Sequence, residues 1–128
     1  PDLYPTLLRA AGLSDQAQAG LDGVDFTALL QNPDATLKRE ALYFHYPHYY
    51  QTTTPVSALR KGDWKLLEYY EDNRLELFNL KQDPGETQDI STANPALARR
   101  LRMELDVWRK KIGAQLPEPN PDWKPRRK

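Results

Sequence analysis

The pattern of this chain predicts an α+β fold: a four-stranded antiparallel sheet packed against a long C-terminal helix. Three observations predict it. Between Ala41 and Leu80, short runs rich in aromatic and apolar residues alternate with small polar connections; parallel strands would need crossovers of about a dozen residues or more. Between Asn94 and Gly113 the apolar residues change to a helical period. At 128 residues the chain has room for one domain, and its hydrophobic fraction of 39% falls below the usual level of about 45–50%.

The opening segment, Asp2 to Gly12, reads as a short helix. Asp2 is placed to cap it, Pro5 is tolerated in its first turn, Gly12 ends it, and Leu3, Leu7, Leu8 and Ala11 form one apolar stripe. A second short helix is expected over Phe26 to Gln31, capped by Asp25 and stopped by Asn32-Pro33. Strands follow at Ala41–Tyr46, Ser57–Arg60, Trp64–Tyr70 and Leu75–Leu80, with turns at Lys61-Gly62-Asp63 and Asp72-Asn73-Arg74. Pro84-Gly85 closes the series. The long helix runs from a cap at Asn94, with Pro95 in its first turn, to Ile112 before Gly113. Leu97, Leu101, Leu105, Trp108 and Ile112 give it one apolar face, which is expected to cover the sheet.

Charge and composition exclude several classes. Eighteen basic and 18 acidic residues balance to a net charge of +0, so nothing marks a partner in nucleic acid or an anionic membrane. The basic cluster at Lys124, Arg126, Arg127 and Lys128 reads as a solvated tail. With no cysteine there is no disulfide, thiolate metal site or cysteine nucleophile. No apolar run in the sequence approaches the roughly 20 residues that span a bilayer.

The search for chemistry finds no phosphate-cradling glycine loop, no Gly-x-Ser-x-Gly elbow, no His-Glu-x-x-His helix and no Asp-x-Asp-x-Asp metal loop. What remains is Phe44-His45-Tyr46-Pro47-His48-Tyr49-Tyr50, which holds both histidines of the chain. As a site it is an aromatic, hydrogen-bonding rim. Imidazoles donate to sulfate oxygens and tyrosine rings offer flat faces, which makes His45, His48 and Tyr49 candidates for substrate contact. Read structurally, it is an aromatic edge strand whose histidines satisfy backbone groups. A metal site would need a third ligand. Arg60, beside Lys61 and Lys65 at the first hairpin turn, is a candidate for an anionic ligand, or else part of a charged turn.

The segments "DLYPTLLRAAGL" and "LDGVDFTALL", then "REALYFHYPHYY" and "SALRKGDWKLLEYYEDNRLELFNLKQDPGETQDI", resemble type I sulfatases near their C-terminus. The "GDWKLL…LELFNLKQDPGE" block is the specific part of the resemblance, which covers nearly the whole chain. It implies an alkaline-phosphatase-like hydrolase of sulfate esters that uses a formylglycine nucleophile and calcium. By that reading residues 1–36 are the end of the catalytic domain and a connector, and 37–128 the C-terminal subdomain. The family makes its nucleophile from a Cys/Ser-x-Pro-x-Arg motif, and Ser14, Ser57 and Ser91 lack Pro and Arg at those offsets. The resemblance therefore places no catalytic residue, metal ligand or cofactor here. It implies instead a fragment, inactive alone, that buttresses a missing N-terminal catalytic domain and lines its pocket, in a periplasmic or secreted enzyme. An aromatic, hydrogen-bonding rim favours sulfated carbohydrate over a small aryl sulfate. A stand-alone carbohydrate- or protein-binding module, or part of a related phosphatase or phosphodiesterase, are the alternatives. In relatives sharing "HYPHY" the loop lies near the substrate pocket and continues into a Gly-rich stretch; here Gln51-Thr52-Thr53-Thr54-Pro55 follows.

Overall fold

The computed structural model describes residues 1–13, 20–118 and 120–122. Ser14 and the basic cluster at Lys124, Arg126, Arg127 and Lys128 lie outside the described residues. The chain divides into two compact units, Pro1–Glu40 and Ala41–Lys128.

In the first unit, helix α1 spans Leu3–Ala10 and α2 spans Thr27–Gln31. Asp2 does not cap α1 as expected, because a guanidinium competes for its carboxylate. Both oxygens bind Arg39, and Oδ1 also accepts from the Val24 amide at 3.0 Å. Arg39, then the Val24 amide, hold Asp2 down to a pKa of about 2. The expected apolar stripe of α1 is not buried within the unit: Leu3 and Leu7 are 67% and 65% exposed. Thr6 is buried instead, its hydroxyl donating to Asp2 O at 2.7 Å and accepting from the Phe26 amide at 3.1 Å. The cap expected at Asp25 does not form: α2 begins one residue later, with Phe26 at the cap position and no side-chain cap bond, and Asp25 sits one residue outside it, accepting from the Thr27 amide at 2.8 Å. Gly23 has a steric reason, since a Cβ there would meet the Pro1 carbonyl oxygen at 2.2 Å.

The second unit is the predicted sheet and helix. Strands β1 (Leu42–Tyr46), β2 (Val56–Lys61), β3 (Trp64–Tyr69) and β4 (Leu75–Asn79) form an antiparallel meander in the order β1-β2-β3-β4. Helix α3 spans Pro95–Ile112 and stops at Gly113, whose φ of 62° lies in the left-handed region that glycine enters without strain. Asn94 precedes α3 but does not cap it with its side chain. The amide turns back to donate to Ile90 O at 3.3 Å, and the Asn94 carbonyl accepts the Ala98 amide.

Register assigns each strand residue to a face. One face carries the rows Tyr43-Leu59-Leu66-Leu77, His45-Ser57-Glu68-Leu75 and Lys61-Trp64-Asn79. Helix α3 lies on it, and Leu59, Leu66, Leu77, Ala98, Leu101 and Leu105 make the core. At about 1.5–3 kcal/mol per fully buried large side chain, these contacts are the main stabilising term. Trp108 stacks on Tyr43, ring centroids 5.0 Å apart, while Ile112 at the end of the expected stripe is 51% exposed. The opposite face carries Leu42-Arg60-Lys65-Phe78, Phe44-Ala58-Leu67-Glu76 and Tyr46-Val56-Tyr69.

The Asp-Pro-Gly-Glu block after β4 is held by its own side chains. Asp83 accepts from the Thr87 and Gln88 amides at 2.8 and 2.9 Å, and Asp89 accepts from the Leu77 amide at 2.9 Å. These donors hold the Asp83 carboxyl below the usual range. The block works as turn chemistry that finishes β4.

Candidate functional site

At one end of the sheet, the loop from Pro47 to Pro55 leaves β1 and returns into β2 beside the β3–β4 turn. It carries the exposed rings of His48, Tyr49 and Tyr50, the last two residues 69% and 64% exposed, next to Tyr46 at the end of β1. The Tyr46 and His48 rings meet edge to face at 5.6 Å. Tyr49 donates its hydroxyl to Glu71 Oε1 at 2.7 Å. That carboxylate, through the hydrogen bond, holds the phenol above its ordinary value.

The loop turns without glycine. Tyr50 and Thr53 exchange backbone hydrogen bonds of 3.0 and 3.3 Å, which closes the chain around Gln51-Thr52. The Tyr70 amide donates to Pro55 O at 3.0 Å and fixes the returning end.

Below the loop lies a polar network on the helix-covered face. His45 Nδ1 is 2.8 Å from Ser57 Oγ, and Ser57 Oγ is 2.6 Å from the Tyr70 hydroxyl. Arg109 donates to the Tyr70 hydroxyl at 2.7 Å and to Glu68 Oε2 at 2.7 Å, while Arg102 donates to Glu68 Oε1 at 2.7 Å. Asp106 completes the ring of partners around Arg109. Burial works against the Arg109 charge, but Asp106, Tyr70 and the charge of Glu68 hold the guanidinium protonated above the ordinary arginine value. The second ring nitrogen of His45 meets the Gln115 carbonyl at 2.8 Å.

The structure brings together some of the expected site residues and separates others. His48 and Tyr49 share the exposed loop. His45 sits at its base with both ring nitrogens engaged inside the domain. Arg60 stands on the opposite face, paired with Leu42 and Lys65, three positions along β2 from the partner of His45; that is about 10 Å of strand. Glu68, Arg109 and Tyr70 were missed by the sequence reading. The signal was present: Arg109 continues the Leu101, Leu105 spacing of four, and Glu68 follows Leu66 by two, so both fall on core-facing positions.

Among the described residues, no group of three or more His, Cys, Asp or Glu side chains could hold a metal ion. The calcium that the resemblance implies has no donor set among these residues. A groove of about 420 Å³ runs along α3 beside β1, with Tyr43, Trp108, Met103 and Val107 among its lining. None of His45, His48, Tyr49 and Arg60 lines it.

An antiparallel meander covered on one face by a C-terminal helix, with an aromatic loop at its end, defines an α+β subdomain of the kind that ends sulfatases. The family model described as N-sulphoglucosamine sulphohydrolase, C-terminal, matches residues 1–111. The chain belongs to this sulfatase family. It is 32% identical over 121 residues to a protein named sulfatase from Formosa agariphila, across 84% of this chain and 22% of that one. It is 29% identical to the Delta 4,5-hexuronate-2-O-sulfatase of Bacteroides thetaiotaomicron, across 70% and 18%. The solved structure of BT4656 in complex with its substrate D-glucosamine-2-N,6-O-disulfate superposes with a TM-score of 0.67 at 26% identity, covering 88% of this chain and 24% of that one. The chain thus spans about a fifth of the length of the relatives it matches.

Proposed function

We propose that this chain is the C-terminal part of a sulfatase that hydrolyses sulfate esters of carbohydrate. The observation that carries the reading is the family match over residues 1–111. The carbohydrate part is supported by the relative named for a hexuronate 2-O-sulfate and by the solved relative that holds a disulfated glucosamine. In this reading the remainder of the longer protein supplies the formylglycine nucleophile and the calcium ion, and this chain supplies no catalytic residue.

Its contribution to the pocket is the exposed loop. His48 and Tyr49 contact the substrate, the imidazole as a hydrogen-bond donor to sulfate or hydroxyl oxygens and the phenol ring as a face for a sugar. Glu71 fixes the Tyr49 ring by accepting its hydroxyl. His45 holds the base of the loop, and Arg60 serves a surface apart from it. The sheet face away from α3, with Phe44, Ala58 and Leu67 in one row, packs against the catalytic domain. No helix among the described residues is long and apolar enough to cross a membrane. By the family resemblance alone, the enzyme works in the periplasm or outside the cell.

The test uses the longer protein and two substrates, a sulfated disaccharide and the matching phosphate ester. Turnover of the sulfate ester is expected, with His48→Ala raising KM by about tenfold, the worth of one charge-assisted hydrogen bond. Hydrolysis of the phosphate ester alone would overturn the sulfatase reading. An unchanged kcat/KM in the His48→Ala protein would remove that residue from the pocket.

A further inference from the structure

The network beneath the loop has a direction. Arg109 has only N–H groups to offer, so it donates to the Tyr70 oxygen, 2.7 Å away. At the other end the Gln115 carbonyl only accepts, so His45 Nε2, 2.8 Å away, carries the hydrogen given to it. Between these ends each neutral hydroxyl passes on one hydrogen. Tyr70 donates to Ser57 Oγ over 2.6 Å, and Ser57 donates to the bare lone pair of His45 Nδ1 over 2.8 Å. The reverse order would leave the Tyr70 hydrogen without an acceptor and set the Nε2 lone pair against the Gln115 oxygen. The Ser57 hydroxyl in the middle of the relay is 0% exposed, so no solvent partner replaces its bonds and the two ends stay linked through it.

The same groups reach both ends of the exposed loop. His45 precedes it on β1, while the Tyr70 amide holds Pro55, where the loop re-enters the sheet. We propose that Arg109, acting through Tyr70 and Ser57 and together with the Gln115 carbonyl at the other end, is a positioning residue that fixes His45 as its Nε2–H tautomer. It thereby clamps Gln115 to β1 and holds the His48–Tyr49 loop in shape for its ligand. Only the last clause rests on the sulfatase reading; the tautomer and the clamp stand without it.

Histidine ¹⁵N labelling and long-range ¹H–¹⁵N correlation NMR read the tautomer of His45 directly. The wild-type protein is expected to show Nε2 protonated and Nδ1 bare. Arg109→Lys keeps a donor-only cation and is expected to keep that signature. Arg109→Gln, which can accept as well as donate, is expected to give a mixture of tautomers while His48 stays unchanged. An Nδ1–H form in the wild type, a changed tautomer in Arg109→Lys, or an unmoved one in a folded Arg109→Gln protein would each overturn the proposal. For the ligand clause, Arg109→Gln is expected to raise KM for the sulfated disaccharide about three- to tenfold at constant kcat, the scale of one neutral hydrogen bond. A fall in kcat with KM unchanged would overturn that clause. A correct tautomer in a protein without sulfatase activity would sink the functional reading and leave the positioning role standing.

Discussion

Tyr49 and Glu71 show how one hydrogen bond sets the state of an exposed group. The carboxylate binds the neutral phenol, so their mutual stabilisation is fully present below the ordinary tyrosine value of about 10 and is lost as pH rises through the raised folded value. Glu71→Gln is expected to move the Tyr49 transition down toward the ordinary range, read as phenolate absorbance against a Tyr49→Phe reference; an unmoved transition would refute the pairing. A deeper residue, Arg109, tests the buried network. Arg109→Met leaves Glu68, whose side chain is 4% exposed, with Arg102 as its remaining charged partner. Losing a buried partner costs about 3–5 kcal/mol where nothing compensates, and Arg102 brings the expected loss to the low end. Chemical denaturation measures it, and a loss below about 1 kcal/mol would mean that water or Arg102 replaces Arg109 fully. These residues also mark what the sequence makes legible. Spacing alone places Glu68 and Arg109 toward the core, but the role of His45 depends on Tyr70 and Gln115, 25 and 70 positions away. No local pattern encodes that meeting.

Among the elements, α3 and α1 differ in how far their limits follow from local chemistry. Pro95 and Gly113 bound α3 as the sequence predicts, because each acts through its own backbone. The side-chain caps predicted at Asp2 and Asn94 do not form, because stronger or nearer partners take those groups. The strands follow their alternation closely, whereas the separation of His45 from Arg60 depends on register, with His45 paired to Ser57 and Arg60 to Leu42. For Gly113 the left-handed φ of 62° stands in open space, so Gly113→Ala meets backbone strain alone. The expected cost is about 1–2 kcal/mol, checked by thermal unfolding; a neutral result would show that α3 ends another way in solution. The first unit carries an acid dependence. Asp2 titrates at about 2, below its unfolded value of about 3.9. Its contribution is present above about pH 4 and is lost as pH falls toward 2. A shift of the Val24 amide NMR resonance over that window, moved up toward the ordinary aspartate range by Arg39→Met, is the expected result.

For the whole molecule the open question is the sheet face that α3 leaves uncovered. Phe44 is 56% exposed and Tyr46 41% exposed on that face, in rows that continue through Ala58, Leu67, Val56 and Tyr69. In the first unit, Leu3 and Leu7 of α1 are exposed as well. Exposed aromatic rings in adjoining rows, on a face that also carries Arg60, Lys65 and Glu76, mark an interaction surface rather than ordinary scatter, and the matched relatives are about four times as long as this chain. If the longer protein covers Phe44, the residue behaves there as a core side chain. Phe44→Ala is then expected to lower the unfolding free energy of the longer protein by about 3–5 kcal/mol, the range for a buried phenylalanine. Its exposure in this chain alone would argue for a change within about 0.5 kcal/mol. The two scales differ enough for one denaturation curve to separate them. A value on the smaller scale would mean that the catalytic domain docks elsewhere and that the buttress role assigned to this face is wrong.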